Sequence, residues 1–184
     1  MQGQAGLDAA IPAWVEGRLQ PVDKLEVHRR GLRHPAVSVF VSRGDETLLQ
    51  QRAAGKYHTP LLWANTCCTH PRWGEAPAAC AIRRLDEELG ITGLAPVLAD
   101  RLEYRADVGG GLIEHELVDV FLAQAGTDLP IRRNPAEVAD TRWITLPDLL
   151  ADLAERPGTY TPWLRIYLTD HLDRIFGGAA GFGG

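Results

Sequence analysis

Three cysteines in 184 residues, two of them adjacent at Cys67 and Cys68, are too few and too badly placed for a disulfide framework. A reducing compartment is therefore expected, and a cytoplasmic location fits it. No run approaches the roughly eighteen apolar residues a membrane span needs, and no basic-then-apolar signal pattern opens the chain. Positive charge is not in surplus. Against 24 Asp and Glu stand 19 Lys and Arg, a formal net charge of −5, which counts against a nucleic-acid binder. Internal repeats are missing as well. What is present, 45% hydrophobic and 23% charged residues, suits one globular domain able to bury a sizeable core.

Along the chain, residues 1–13 lack periodicity and read as a flexible lead, 14–176 as the folded domain, and the glycine-rich 177–184 as a flexible tail. Trp14–Val22 alternates around Glu16-Gly17-Arg18, a short hairpin. Asp23 can cap a helix carrying Lys24, Glu26 and His28, which Gly31 ends. His34 stands at the entrance to a strand over Ala36–Val41, and Thr47–Arg52 returns after a turn. Ala53–Leu62 is a loop with Lys56 and His58. Further strands are expected over Leu102–Ala106 and Leu112–Ala123, with another ending at Trp143-Ile144. Thr145 and Thr161-Pro162 open two helices, the second running Trp163–Phe176. Strands interspersed with helices place the fold in the α/β (α+β) class with a largely non-parallel sheet.

Between Leu62 and Ile91 a helix is expected, with Ile82, Leu85 and Leu89 as its core stripe and Gly90 as its stop. Arg84 and Glu88 lie four apart on another face, either as functional groups or as a plain surface ion pair. Glu114 and Glu116 share one face of a strand while His115 points away. That face continues through Val118 and Val120, so two carboxylates sit on an interior side, where a cation would offset their repulsion. The opposite reading is an exposed strand edge with solvated glutamates. Imidazoles at His28, His34 and His70 are available as co-ligands, and three His with two Glu suit zinc, manganese or iron. Cys68 and His70 point the same way in an extended segment. A thiol beside basic groups can serve as acid or base with its pKa lowered from about 8.5. Tyr104 precedes the glutamates and either donates to them or packs as a core ring. Lys24, Arg52, Lys56 and Arg84 can converge on a phosphate or stay solvated singly.

Gly74-Glu75 followed by Arg83-Arg84-Leu85-Asp86-Glu87-Glu88-Leu89-Gly90-Ile91 resembles the Nudix box, R-E-apolar-x-E-E-x-G-apolar. Arg84 stands where that core has its first glutamate, which helps Nudix hydrolases bind their catalytic metal, and the departure argues against hydrolysis. WANTCCTHP, YRAD, Glu114-His115-Glu116 and the TPW near the C-terminus resemble the type I isopentenyl diphosphate isomerases. These share the Nudix fold without the hydrolysis. The resemblance covers Trp14 to Phe176. It implies a Nudix-like mixed sheet sandwiched between helices and the interconversion of isopentenyl and dimethylallyl diphosphate in isoprenoid biosynthesis.

The resemblance also implies a site. His28, His34, His70, Glu114 and Glu116 would hold one tightly bound divalent metal (Mn2+, Zn2+ or Mg2+). Glu88 would hold a Mg2+ that arrives with the substrate diphosphate. Cys68, Glu116 and Tyr104 would be catalytic, with protonation on the Glu116/Tyr104 side and deprotonation by Cys68. Lys24, Arg52, Lys56 and Arg84 would bind the diphosphate, and Trp163 would lie beside the hydrocarbon. The expected partner is the small-molecule substrate isopentenyl diphosphate, with no nucleic acid and no membrane, in a monomer or weak homodimer. Two rivals differ in simple ways: a Nudix hydrolase would release phosphate, and a non-enzymatic binding module would tolerate loss of Cys68 and Glu116.

Overall fold

The computed structural model describes residues 10–177. Residues 10–13 belong to a strand and not to the loose lead expected there: β1 (Ala10–Val15) pairs antiparallel with β2 (Arg18–Asp23). Ile11 and Ala13 are buried against Val27 of the following helix, a contact that no local pattern announces. The rest of the lead, and the tail beyond Gly177, lie outside the described residues.

Helix α1 (Lys24–Arg30) begins as expected, with the Asp23 carboxylate accepting from the Glu26 backbone N–H at 3.0 Å. It ends at Gly31, whose φ is 59° and where a Cβ would meet the Ile113 side chain at 3.1 Å. Both the left-handed cap and the close approach call for glycine.

Seven strands then form one mixed sheet: β3 (His34–Arg43), β4 (Glu46–Arg52), β5 (Trp63–Ala64), β6 (Cys67–Thr69), β7 (Val97–Gly109), β8 (Leu112–Gln124) and β9 (Val138–Thr145). β3 is central. It runs parallel to β8, pairs with β6 through Val37–Val39, and meets β4 only at Ser42 and Arg43. β8 continues antiparallel to β7, which is longer than the expected Leu102–Ala106 strand at both ends.

Alternation along β3 divides the core. Val37, Val39 and Val41 face α2 (Pro77–Leu89), where Cys80, Ala81, Leu85 and Leu89 meet them. Ala36 and Phe40 face the other way, with Val118 and Val120 of β8, toward Trp163, Leu164 and Tyr167. Ile82, expected in the stripe of α2, is 50% exposed instead. Cys80, Ala81 and Glu88 are buried on that helix in its place, because the inward face is rotated toward them. Full burial of a side chain such as Leu85 is worth ~1.5–3 kcal/mol.

Helix α3 (Leu146–Glu155) carries the expected Thr145 cap. Thr161 makes no such bond; its hydroxyl is buried without a partner, and Pro162 opens α4 (Pro162–Asp170) at its first position. The single terminal helix expected over Trp163–Phe176 is broken at His171, and a short α5 (Leu172–Phe176) follows. The break coincides with Ile175 and Phe176 turning onto the core, Phe176 lying 5.1 Å from Phe40 between ring centroids. Among the described residues no helix is long and apolar enough to cross a membrane.

Candidate active site

Strand register assembles the site. His34 of β3 lies opposite Glu116 of β8, and Glu116 lies opposite Tyr104 of β7, so one row crosses three strands. Ser38, four residues further along β3, lies opposite Cys68 of β6. Residues two apart share a face, so Glu114 joins Glu116. His115 points away toward Glu103, 3.1 Å distant, as expected.

Two imidazoles arrive with the same tautomer. His28 Nδ1 is 2.6 Å from the Lys24 carbonyl, and His34 Nδ1 is 2.7 Å from the Leu32 carbonyl. A carbonyl only accepts, so each Nδ1 carries the hydrogen and each neutral ring presents a lone pair at Nε2. Those Nε2 atoms face Glu114 Oε2 at 3.1 and 3.4 Å, and His34 Nε2 faces His70 Nε2 at 3.1 Å. Glu114 Oε2 is buried and makes no hydrogen bond. Buried lone pairs turned toward one another need positive charge among them. Donor atoms of His28, His34, His70 and Glu114 all lie within 4.8 Å of one another. Glu116 Oε1 adjoins them, 3.0 Å from His70 Nε2 and 3.6 Å from His34 Nε2. This nitrogen-oxygen set fits a divalent metal ion.

The titration pattern has the same cause. Burial opposes charge on His34, but the neighbouring Glu114 and Glu116 carboxylates outweigh it and push the imidazole up to about 9. A proton there takes the place of a cation. Burial takes His70 the other way, to about 3. Glu114 is held well below the carboxylate range, burial being outweighed by His28, His34 and His58. Glu116 is lowered too, against burial and the Glu114 charge, by His34 and His70.

The Tyr104 hydroxyl donates to Glu116 Oε2 at 2.7 Å, and burial raises its phenol well above the usual range. Cys68 Sγ is 2.8 Å from Ser38 Oγ and donates to Asn65 Oδ1 at 3.2 Å. Burial first, and then the Glu116 charge, push this thiol up, where the sequence reading expected it lowered. Hydrogen bonds with Ser38 and Asn65 work against that rise without prevailing. Cys67, on the opposite face, is fully buried against α2.

Cys68, His70, Tyr104, Glu114 and Glu116 line one cavity that opens to solvent. Lys24, Arg52, Lys56, Arg84 and Trp163, the residues expected to contact the diphosphate and the hydrocarbon, line it as well. Burial and then the Lys56 charge lower the Lys24 pKa, as crowding of cations requires. Glu88 does not line the cavity. Its carboxylate is tied to Arg84 Nη2 at 2.5 Å and to Gln50 Nε2 at 3.0 Å, 3% exposed. The i,i+4 pairs Arg83–Glu87 and Arg84–Glu88 are both present.

One residue escaped the sequence reading. His58, placed in a loop, is buried with Nε2 2.9 Å from Glu114 Oε1. A histidine two residues from Lys56 in a glycine- and proline-bearing loop was the available signal, and a weak one.

The Nudix domain family profile matches residues 32–164, and the sandwich is that of a Nudix-domain protein. A crystal structure from Deinococcus radiodurans covers 91% of this chain and 99% of its own at TM-score 0.70; at 15% identity it bears on the fold alone. The MutT Nudix hydrolase of Burkholderia pseudomallei aligns at TM-score 0.58 and 25% identity, over 76% and 98%. The protein named isopentenyl-diphosphate Delta-isomerase in Cereibacter sphaeroides is 68% identical over 167 residues, 91% of this chain and 94% of its own. Its namesake in Dinoroseobacter shibae is 65% identical over 170 residues, 92% and 97%. The chain belongs to the isopentenyl-diphosphate Delta-isomerase family.

Proposed function

We infer that this chain interconverts isopentenyl diphosphate and dimethylallyl diphosphate. The observation that carries the reading is a thiol and a tyrosine-bound carboxylate, Cys68 and Tyr104–Glu116, lining one cavity with four basic side chains. The reaction moves a double bond. The terminal methylene of the alkene gains a proton, the cation forms at the tertiary carbon, and the neighbouring methylene loses a proton. Two acid-base groups suit this transfer. In the described state Cys68 Sγ carries its hydrogen, which it donates to Asn65 Oδ1, and Glu116 accepts from the Tyr104 hydroxyl. We therefore reverse the expected order: Cys68 gives the first proton and Glu116, with Tyr104, takes the second. For the back reaction the roles exchange.

Trp163, 3% exposed, places an indole at the cavity wall, and Arg52 lies 5.2 Å from its ring centroid. A cation against a desolvated indole is stabilised by ~2 kcal/mol. The site must also exclude water, which would trap the cation as an alcohol. His28, His34, His70, Glu114 and Glu116 would hold a divalent ion; Mn2+, Zn2+ and Mg2+ all suit the donors. When bound, it supplies the positive charge that keeps both carboxylates ionised. Magnesium accompanying the diphosphate remains part of the reading, but for Glu88 the proposal narrows to anchoring Arg84 at the wall. The test is incubation with isopentenyl diphosphate and magnesium in deuterated water. Deuterated dimethylallyl diphosphate without phosphate release supports the isomerase; release of phosphate or diphosphate overturns it.

Arg84 divides the isomerase from a hydrolase. Its guanidinium meets Glu88, Glu87 and Glu137, which fix it while it lines the cavity. A charge-assisted hydrogen bond is worth ~1.5–3 kcal/mol. Arg84→Gln is accordingly expected to raise KM roughly 10- to 100-fold, and Arg84→Glu to release no phosphate. Steady-state kinetics with phosphate monitoring checks both. An unchanged KM would leave Arg84 as an ion-pair partner only.

A further inference from the structure

We propose that His58 is a positioning residue that sets the affinity of the metal centre by fixing the Glu114 carboxylate from outside the ligand set. This rests on the metal-binding reading above and deepens it. The tautomers carry the argument. His28 and His34 each give their Nδ1 hydrogen to a carbonyl, so it is Nε2 that each turns inward toward Glu114. His58 is wired the other way. Its Nδ1 lies 3.1 Å from the Thr59 hydroxyl, which can donate to it, and its Nε2 lies 2.9 Å from Glu114 Oε1. An ionised carboxylate only accepts, so the hydrogen of His58 is on Nε2 and points at Glu114. With Oε1 held in this way, Oε2 is the oxygen left facing His28 and His34, buried and without a hydrogen bond. His58 is accordingly a donor to a ligand, not a ligand.

The loop is built to hold this ring. Thr59 and Leu61 sit at φ 46° and 61°, a region that branched and bulky side chains rarely enter. Such backbone persists where its surroundings over-determine it. Arg52, itself buried, supplies that constraint: Nε donates to the Thr59 carbonyl at 3.2 Å and Nη2 to the His58 carbonyl at 3.1 Å. The indole of Trp163 packs edge-on against the His58 ring, 5.9 Å between centroids. Guanidinium, loop carbonyls, imidazole and Glu114 thus form one chain from the expected diphosphate pocket to the metal ligands.

The experiment measures zinc affinity by competition with a chromogenic chelator in the native protein, His58→Phe and His58→Gln, with circular dichroism to confirm folding. Partners that orient metal ligands typically contribute roughly 10- to 100-fold in affinity. His58→Phe keeps the ring and loses the donor, so it should bind zinc roughly 10- to 100-fold more weakly. His58→Gln restores an N–H near the Nε2 position and should stay within roughly threefold of native, well short of that loss. The visible bands of the cobalt-substituted His58→Gln protein should keep their native energies, since no ligand is changed. Native affinity in His58→Phe overturns the inference, as does a His58→Gln variant as weak as His58→Phe. Shifted cobalt bands would make His58 a ligand and overturn it likewise. Absence of divalent-metal binding by the native protein would instead defeat the metal centre itself, and the role of His58 with it.

Discussion

Cys68→Ala and Glu116→Gln are each expected to lower isomerisation by at least about 10²-fold while the protein stays folded. The loss should differ in kind between them, which makes the pair informative. With Cys68 as the first acid, Glu116→Gln can still protonate the terminal methylene and take the proton back. In deuterated water that variant should wash deuterium into unreacted isopentenyl diphosphate without forming dimethylallyl diphosphate. Cys68→Ala should do neither. The ground is the hydrogen bonding: the Cys68 thiol donates to Asn65 Oδ1, while Glu116 accepts from the Tyr104 hydroxyl. Exchange in Cys68→Ala and none in Glu116→Gln would restore the order expected from the sequence. Near-native turnover in Cys68→Ala would remove the thiol from the chemistry. Cys67→Ala, which alters only the α2 face of the core, should leave turnover close to native.

Protein purified without added metal should carry about one divalent transition-metal ion per chain, and His70→Ala should lose it, with isomerisation falling at least about 10²-fold. His70 is half-buried and its pKa is lowered to about 3, which favours the neutral state in which an imidazole ligates. Its Nε2 stands 3.1 Å from that of His34 and 3.0 Å from Glu116 Oε1, so its removal opens the shell on the side nearest the reacting groups. Elemental analysis of both proteins gives the stoichiometry. Full activity in magnesium with a strong transition-metal chelator present would contradict a tightly held ion. Retention of the ion by His70→Ala would take His70 out of the shell.

Some of this molecule is legible one residue at a time, because the interactions concerned span few residues. Asp23 and Thr145 cap the helices they precede, Gly31 and Gly90 end theirs, and the Arg83–Glu87 and Arg84–Glu88 pairs form. The two-residue period of a strand likewise puts Glu114 and Glu116 on one face and His115 on the other. The Nudix-like fold named from motif resemblance belongs here too, since motifs travel with local sequence.

Other features exist only once the sheet has closed. That His34, Glu116 and Tyr104 form one row depends on the antiparallel register of β8 with β7, which is local, and on the parallel register of β3 with β8, which joins segments far apart in the chain. Ile82 fits the helical stripe and lies outside it, because the angle at which α2 meets β3 is set by Cys80, Ala81 and Leu85 in contact. Glu88 looks like a free carboxylate in sequence and is bonded to Gln50 and Arg84 in space. The direction of the Cys68 pKa reversed because burial, a property of the finished fold, outweighs the nearby donors that lower it. His58 reaches Glu114 only because Arg52 holds the carbonyls of a strained loop. Local spacing decides what a segment of chain can present, whereas desolvation and register depend on distant segments and are decided only when those segments meet.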